Sequence, residues 1–213
     1  MDKADVKVVI LCGGKCTRLR EVSELVPKPL VPVGEMPILW HIMKGYATQG
    51  YKNFILCLGY KGDAIRDFFL NYVNNSRDIT INLKSGNIIH REGETEDWNI
   101  TLVNTGLETN TGKRLHAVRK YIEKDPYFLL TYGDGVSDVN IDELIKFHKS
   151  KPVVGTITGI RASSKYGQVK ADETGIIVKF AQYPLLDDRI NGGFMVLNKE
   201  FLDHPKLAIN TPI

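Results

Sequence analysis

Between Val6 and Cys12 the chain reads VKVVILC, an apolar run broken only by Lys7, and it stops at the paired glycines Gly13-Gly14. A strand that is apolar at nearly every position has to be covered on both faces, which a sheet packed between helices provides. Phe54–Leu58 and Phe128–Thr131 repeat the pattern. Segments with helical spacing lie between and after these runs. Pro37 opens one in which Ile38, Leu39, Ile42, Met43 and Tyr46 share a face, and Gly50 closes it. Ile65, Phe68, Phe69, Tyr72 and Val73 mark a second, and Leu115, Val118, Tyr121 and Ile122 a third. Asn140 followed by Glu143 reads as a capping box for a fourth, carrying Ile141, Leu144, Ile145 and His148.

Other stretches have shorter β-like character. Ile79–Leu83, Ile88–His90 and Ile100–Val103 form a β-rich insertion around residues 76–105. Val153–Thr158, Gln168–Lys170, Ile176–Phe180 and Phe194–Leu197 read as later strands. With no repeat, low-complexity tract or linker, residues 1–213 are expected to form a single α/β domain, a mostly parallel mixed sheet flanked by helices. In such sheets ligands bind beyond the carboxyl ends of the strands. The Gly13-Gly14 loop and the Gly133-Asp134-Gly135 turn both follow strands in this way.

Composition narrows the function classes. A net charge of +3 over 213 residues is too small to call for nucleic acid or an acidic membrane surface as partner. No apolar run reaches the length of a membrane span, and the N-terminal MDKADVK lacks a signal-peptide core. The three cysteines, Cys12, Cys16 and Cys57, contain no CxxC pair, so no disulfide framework is expected. Cys12 and Cys16 have no further cysteine or histidine nearby to complete a four-ligand zinc site, and the histidines are scattered. The expectation is a cytoplasmic protein with reduced thiols.

The loop from Gly13 to Gly34 carries the densest chemistry. It is neither GxxxxGK[ST] nor GxGxxG. Gly13 and Gly14 let backbone amides approach an anion closely. Thr17 offers a hydroxyl, Arg18 a fork for phosphate oxygens, and Lys15 a point charge. Lys28 stands between Pro27 and Pro29, whose fixed φ favours an extended, stiff backbone. Asp134, flanked by glycines after a buried strand, is placed for a hard cation such as Mg²⁺, which takes carboxylate and phosphate oxygens. A solvated basic loop and a plain Gly-Asp-Gly turn have the same local composition, and the residues alone leave those readings open.

GG-x-x-T-R-L followed by Pro27-Lys28-Pro29 resembles the sugar-1-phosphate nucleotidylyltransferases. The likeness continues through PILWHIMKGYATQG, LGYKGDAIRDFF, FLLTYGDGVSDVNIDELIKFH and INGGFMVLN. The WNITLVNTG and TGKRL blocks and the TYGDGVSD turn resemble the glucose-1-phosphate cytidylyltransferase branch in particular. The resemblance implies a Rossmann-like nucleotide-diphospho-sugar transferase fold. The implied reaction moves CMP from CTP to a phosphorylated acceptor such as glucose 1-phosphate, in polysaccharide biosynthesis, with Mg²⁺ as cofactor and a homo-oligomer as the assembled form. It makes Arg18, Lys28 and Asp134 catalytic, with Asp134 the metal ligand. It places the nucleotide on Leu11, Gly13, Gly14, Lys15, Cys16, Thr17, Gly112, Arg114 and Gly133, and the acceptor on Tyr166, Gly167, Gln182, Tyr183 and Asn191.

Three features depart from the family pattern. Cys16 replaces a glycine. Gln182-Tyr183-Pro184 stands where the family has Glu-Lys-Pro, so a lysine for the acceptor phosphate is missing. The likeness also stops at Ile213, before a stretch in which the family carries a second metal-binding aspartate. Two further readings follow: a cytidylyltransferase for a different, possibly non-sugar, phosphorylated acceptor, and a catalytically weak nucleotide-binding regulatory subunit.

Overall fold

A computed structural model of the chain describes residues 2–14 and 26–207. In chain order its strands are β1 (Lys7–Leu11), β2 (Pro32–Val33), β3 (Met36–Pro37), β4 (Asn53–Leu58), β5 (Ile79–Ile81), β6 (Ile88–His90), β7 (Asn99–Asn104), β8 (Tyr127–Tyr132), β9 (Gly155–Ser163), β10 (Gln168–Ala171), β11 (Ile177–Ala181) and β12 (Leu185–Asn198). Six of them form the central sheet in the order β7-β4-β1-β8-β12-β9. β7, β4, β1 and β8 are mutually parallel, and β12 runs antiparallel to both β8 and β9. This is the mostly parallel mixed sheet expected from the sequence.

The apolar runs become strands because alternate side chains feed two separate cores. Val8 and Ile10 of β1, Phe54, Leu56 and Leu58 of β4, Leu129 of β8 and Val196 of β12 share one face. Leu39, Ile42, Met43 and Tyr46 of the helix Ile38–Ala47 cover it, together with Ile65 from Gly62–Leu70 and Ile141 and Ile145 from Ile141–Lys149. The opposite face is built from Val9, Ile55, Cys57, Phe128 and Leu130, under Leu115, Val118, Ile122, Leu202 and Leu207. β1 lies in the middle, registered on β4 through Ile10↔Leu56 and on β8 through Val9↔Leu130.

Several elements differ from the sequence expectation. Ile100–Val103 belongs to β7, which pairs in parallel with β4 and closes one edge of the sheet. Only β5 and β6 make a separate hairpin, through Ile79↔His90 and Ile81↔Ile88. As an edge strand β7 has exposed ends and half-buried central residues, so its pattern is weak. The second helical segment breaks at Asn71 into Gly62–Leu70 and Tyr72–Ser76, which leaves Val73 exposed. The third breaks at Val118 into Thr111–Ala117 and Arg119–Ile122, with Tyr121 outside. The Asn140 cap is present, its side chain accepting from the Glu143 amide at 3.0 Å.

β9 and β12 run past the core as a long antiparallel ribbon that carries the β10–β11 hairpin. Their register shifts between Asn191 and Met195, where Gly193 adopts φ +85. Residues on the core side of that bulge are buried, whereas Ile160, Val169, Ile177, Phe180, Leu185 and Ile190 beyond it are exposed. Among the described residues no helix is long and apolar enough to cross a membrane.

His148 fastens its helix to the sheet. The Asn198 amide nitrogen donates to the Val153 carbonyl (3.1 Å), so Asn198 Oδ1 is left to accept from His148 Nε2 (2.9 Å). His148 Nδ1 lies 2.8 Å from the Thr156 hydroxyl, in hydrogen-bond contact. Both ring nitrogens are thereby engaged, and the role of the imidazole is structural. His148→Leu removes both hydrogen bonds in a partly buried place and is expected to cost about 1–3 kcal/mol. Urea denaturation should register this as a lower midpoint with an unchanged slope.

Candidate active site

The carboxyl ends of the parallel strands open onto a cavity of about 1020 Å³. Leu11–Gly14 after β1 and Tyr132–Asp134 at the end of β8 form its floor. Lys28 and Pro29 stand on one side, and Thr109, Asn110 and Thr111 on another. The far wall is largely apolar and comes from Val154, Ile157, Met195, Leu197 and Phe201, with Asn191 and Thr156 among them. The backbone continues its ladder past the strand ends: Cys12 donates to Cys57 (3.0 Å), Gly133 to Leu11 (3.0 Å), Thr105 to Leu58 (2.9 Å) and Tyr60 to Gly13 (3.2 Å). The loops are therefore extensions of the sheet, fixed at their roots.

Lys28 and Asp134 meet at the edge of this cavity. They are 106 positions apart, and Lys28 Nζ donates to Asp134 Oδ2 in an ion pair. Packing of their neighbours brings them together. Pro29 is buried, and a Cβ added at Gly133 would lie 3.2 Å from Pro29 Cγ and 3.0 Å from Cys12 Sγ. A side chain at 133 would crowd both neighbours, so glycine there suits the close approach of Pro29, beside which Lys28 and Asp134 meet. Lys28 begins a single 3-10 turn, Lys28–Leu30, in which Val31 donates to the Lys28 carbonyl at 3.1 Å. The extended backbone expected between two prolines is not formed, because Pro29 at the start of a turn forgoes an amide that the turn does not use.

Arg114 occupies the base of the cavity and is only 5% exposed. Both terminal nitrogens of its guanidinium are engaged. Nη1 donates to the carbonyls of Leu58 (3.2 Å) and Gly106 (2.7 Å) and to the Thr105 hydroxyl (2.7 Å). Nη2 donates to the carbonyls of Gly13 (3.0 Å) and Leu107 (3.3 Å). These acceptors follow or end β1, β4 and β7, so one side chain clamps the carboxyl ends of three adjacent strands. Burial lowers the Arg114 pKa from its ordinary value, while its charge stays intact because a guanidinium starts so high. The positive potential under the Gly13 loop suits an anionic ligand. Burial pushes the Cys12 thiol well up and that of Cys57 to about 12, so neither is a nucleophile at neutral pH.

The residues singled out from the sequence separate into three groups. Leu11, Gly13, Gly14, Lys28, Arg114, Gly133, Asp134 and Asn191 line the cavity together. Gly112 lies two residues before Arg114, buried in the helix Thr111–Ala117. Tyr166, Gly167, Gln182 and Tyr183 gather instead at the base of the β10–β11 hairpin, where a Cβ on Gly167 would meet Gln182 Oε1 at 3.0 Å. Tyr183 is 60% exposed with φ +50, and Tyr166 is 79% exposed. Lys15, Cys16, Thr17 and Arg18 lie outside the described residues.

Residues that sequence reading passed over also shape the site. Tyr132 receives a hydrogen bond on its hydroxyl from Asn191 Nδ2 (3.3 Å), and its ring sits 3.2 Å from where a Gly193 Cβ would be. Its position just before Gly133 was the available signal. Thr109 and Thr156 reach the cavity from a loop and a strand start, with nothing in their surroundings to mark them.

Comparison with known proteins bears on this geometry. Residues 7–210 match the family model described as nucleotidyl transferase. The chain is 42% identical over 199 residues to a probable glucose-1-phosphate cytidylyltransferase of Bacillus subtilis strain 168, covering 93% of this chain and 77% of that protein. The glucose-1-phosphate cytidylyltransferase of Salmonella typhi shows the same identity and coverage. The crystal structure of HddC from Yersinia pseudotuberculosis complexed with GMP-PN shares the fold, with a TM-score of 0.67 at 24% identity over 96% of this chain and 82% of that one.

Arg114→Met removes the hydrogen bonds that tie the three strand ends together, although Gly13 and Leu58 keep their backbone donors, and is expected to destabilise the fold by roughly 1–3 kcal/mol. Arg114→Lys should recover only part of this, since a single ammonium cannot span the three strand ends; chemical denaturation of both variants checks it. In a Cys16→Ser background, Cys12 and Cys57 are expected to resist Ellman's reagent at pH 8 until denaturant is added.

Proposed function

The chain is a member of the nucleotidyl transferase family, and from that premise we propose that it transfers CMP from CTP to the phosphate of a sugar 1-phosphate, glucose 1-phosphate first, releasing pyrophosphate. The observation that carries this reading is the convergence of Gly13-Gly14, Lys28 and Asp134 on one cavity, over the buried charge of Arg114. The cytidylyltransferase names of relatives at 42% identity support the choice of base and acceptor.

The chemistry needs little beyond alignment. A phosphate monoester has a second pKa of about 6, so the attacking oxygen is already ionised at neutral pH and needs no general base. Its target is the α-phosphorus of CTP, and the bond that breaks leads to the pyrophosphate leaving group. Two anions have to be brought together, so positioning and charge neutralisation dominate the barrier. Lys28 binds and orients phosphate oxygens, and Arg18 is assigned the transferring phosphate. Glycine at 13 and 14 lets the nucleotide lie close against the backbone. Arg114 acts from below, by holding the carbonyls of the loops that form the pocket.

Asp134 suits a magnesium ion. Among the described residues no group of three or more His, Cys, Asp or Glu side chains could cage a metal. A single half-exposed carboxylate beside a phosphate pocket fits a cation that takes one protein ligand and fills its shell with phosphate and water. When bound, the ion supplies further neutralisation of the triphosphate.

A second reading changes only the acceptor. Gln182 and Tyr183 replace the Glu-Lys pair of the family pattern, and Tyr183 is exposed on the ribbon, away from the cavity-lining residues. That favours a phosphorylated acceptor whose phosphate is neutralised elsewhere. For the assembled protein, the exposed apolar side chains of the ribbon and hairpin support a homo-oligomer.

Pyrophosphate release is the test, with CTP, UTP and dTTP each offered to glucose 1-phosphate and a panel of other phosphate monoesters. Release from CTP with glucose 1-phosphate is the expected result. Release only with another monoester would transfer the assignment to the second reading, and binding without release on any acceptor would leave a regulatory subunit. Lys28→Ala is expected to lower turnover by a factor of at least ~100 with an unchanged melting curve, and near-normal turnover would remove Lys28 from the mechanism.

A further inference from the structure

The Lys28–Asp134 pair has a role before any ligand arrives. Lys28 Nζ sits on Asp134 Oδ2, the carboxylate that the proposed function gives to a divalent cation. Both side chains keep about a third of their surface exposed (35% and 37%), so the pair closes at the mouth of the cavity rather than in the core. Pro29 packs close on Gly133 and brings the two backbones together.

Resting on the reading of Asp134 as the metal-holding group, we propose that Lys28 is a built-in stand-in for the metal. In the ligand-free protein its ammonium neutralises Asp134 and weakens the binding of a bare divalent ion. A polyphosphate draws the ammonium away and opens the carboxylate to the ion. A hydrated divalent cation gains little from one carboxylate that is already paired, and it gives up water reluctantly. Seating it there also brings a double positive charge against the ammonium. Polyphosphate reverses both costs, because its oxygens receive Lys28 and help to coordinate the ion. Metal and polyphosphate therefore bind with positive coupling, each favouring the other through the same side chain. The protein is thus kept from loading metal without nucleotide.

Mn²⁺ serves as the probe, with free ion measured by electron paramagnetic resonance on protein without nucleotide. Lys28→Met and Lys28→Gln are expected to bind Mn²⁺ about fivefold or more tightly than the unmodified protein, the scale of a half-exposed ion pair. Adding Asp134→Asn to either variant should abolish that gain. The proposal is overturned if neither lysine variant binds Mn²⁺ more tightly, or if the gain survives Asp134→Asn. Should the lysine variants fail to fold, the reciprocal measurement decides. With EDTA present, inorganic tripolyphosphate should bind Asp134→Asn about fivefold or more tightly than the unmodified protein, and equal affinity overturns the proposal. No nucleotide base, acceptor or turnover enters either measurement. A protein active with another nucleotide therefore leaves both outcomes unchanged, and failure here beside normal pyrophosphate release removes the stand-in role alone.

Discussion

A buried arginine whose guanidinium donates to neutral oxygens holds the carboxyl end of the sheet together. The Arg114 guanidinium takes up the carbonyls of Gly13, Leu58, Gly106 and Leu107 and the Thr105 hydroxyl. Without it the Gly106 and Leu107 carbonyls would lose this donor, the Gly13 and Leu58 carbonyls would keep those of Tyr60 and Thr105, and the tie between the loops after β1, β4 and β7 would be gone. Glycine at 13 and 59 is part of the same arrangement, since a side chain at either place would occupy the space of the guanidinium. Everything the cavity does depends on loops that this cation keeps closed. Neutral carbonyl dipoles satisfy its hydrogen bonds without cancelling its charge, so the pocket floor stays positive.

The sheet itself was readable because it obeys one rule. Val8 and Ile10 go to one core and Val9 to the other, and Phe54, Leu56 and Leu58 divide from Ile55 and Cys57 in the same way. A strand that serves two cores is apolar throughout, and that is visible from composition alone. Ile100–Val103 was readable as β-like, but its place in the central sheet was not, because β7 lies at the edge and has only half-buried central positions. The helix breaks at Asn71 and Val118 escaped because periodicity continues across a change of axis, and only tertiary packing shows where the axis turns.

The site was legible by residue type and much less so by geometry. Glycines after a strand, a lysine between prolines and an aspartate between glycines each pointed to phosphate or metal chemistry. Their meeting depends on Pro29 seating against Gly133, a contact across the sheet that no local pattern encodes. Arg114 shows the opposite failure. Arginines are almost always exposed, so its type gave no hint of burial, and the role it plays is set by five acceptors scattered from Gly13 to Leu107. The residues assigned to the acceptor split for a similar reason. Asn191 and Tyr183 lie on one ribbon, yet only Asn191 is near enough to the core to line the cavity.

The bulge in β12 separates two parts of one strand. On the core side of Gly193, Val196 pairs with β8 and Phe194 packs in the core, whereas Leu185 to Ile190 answer only to β9. A β-bulge absorbs a change of register, so residues can be gained or lost in the ribbon without moving a single core contact. The ribbon is in that sense a replaceable part. Leu185 to Ile190 can therefore change in length and sequence while the pairing of β12 with β8 stays as it is, whereas Asn191, bonded to Tyr132 and lining the cavity, belongs to the site itself.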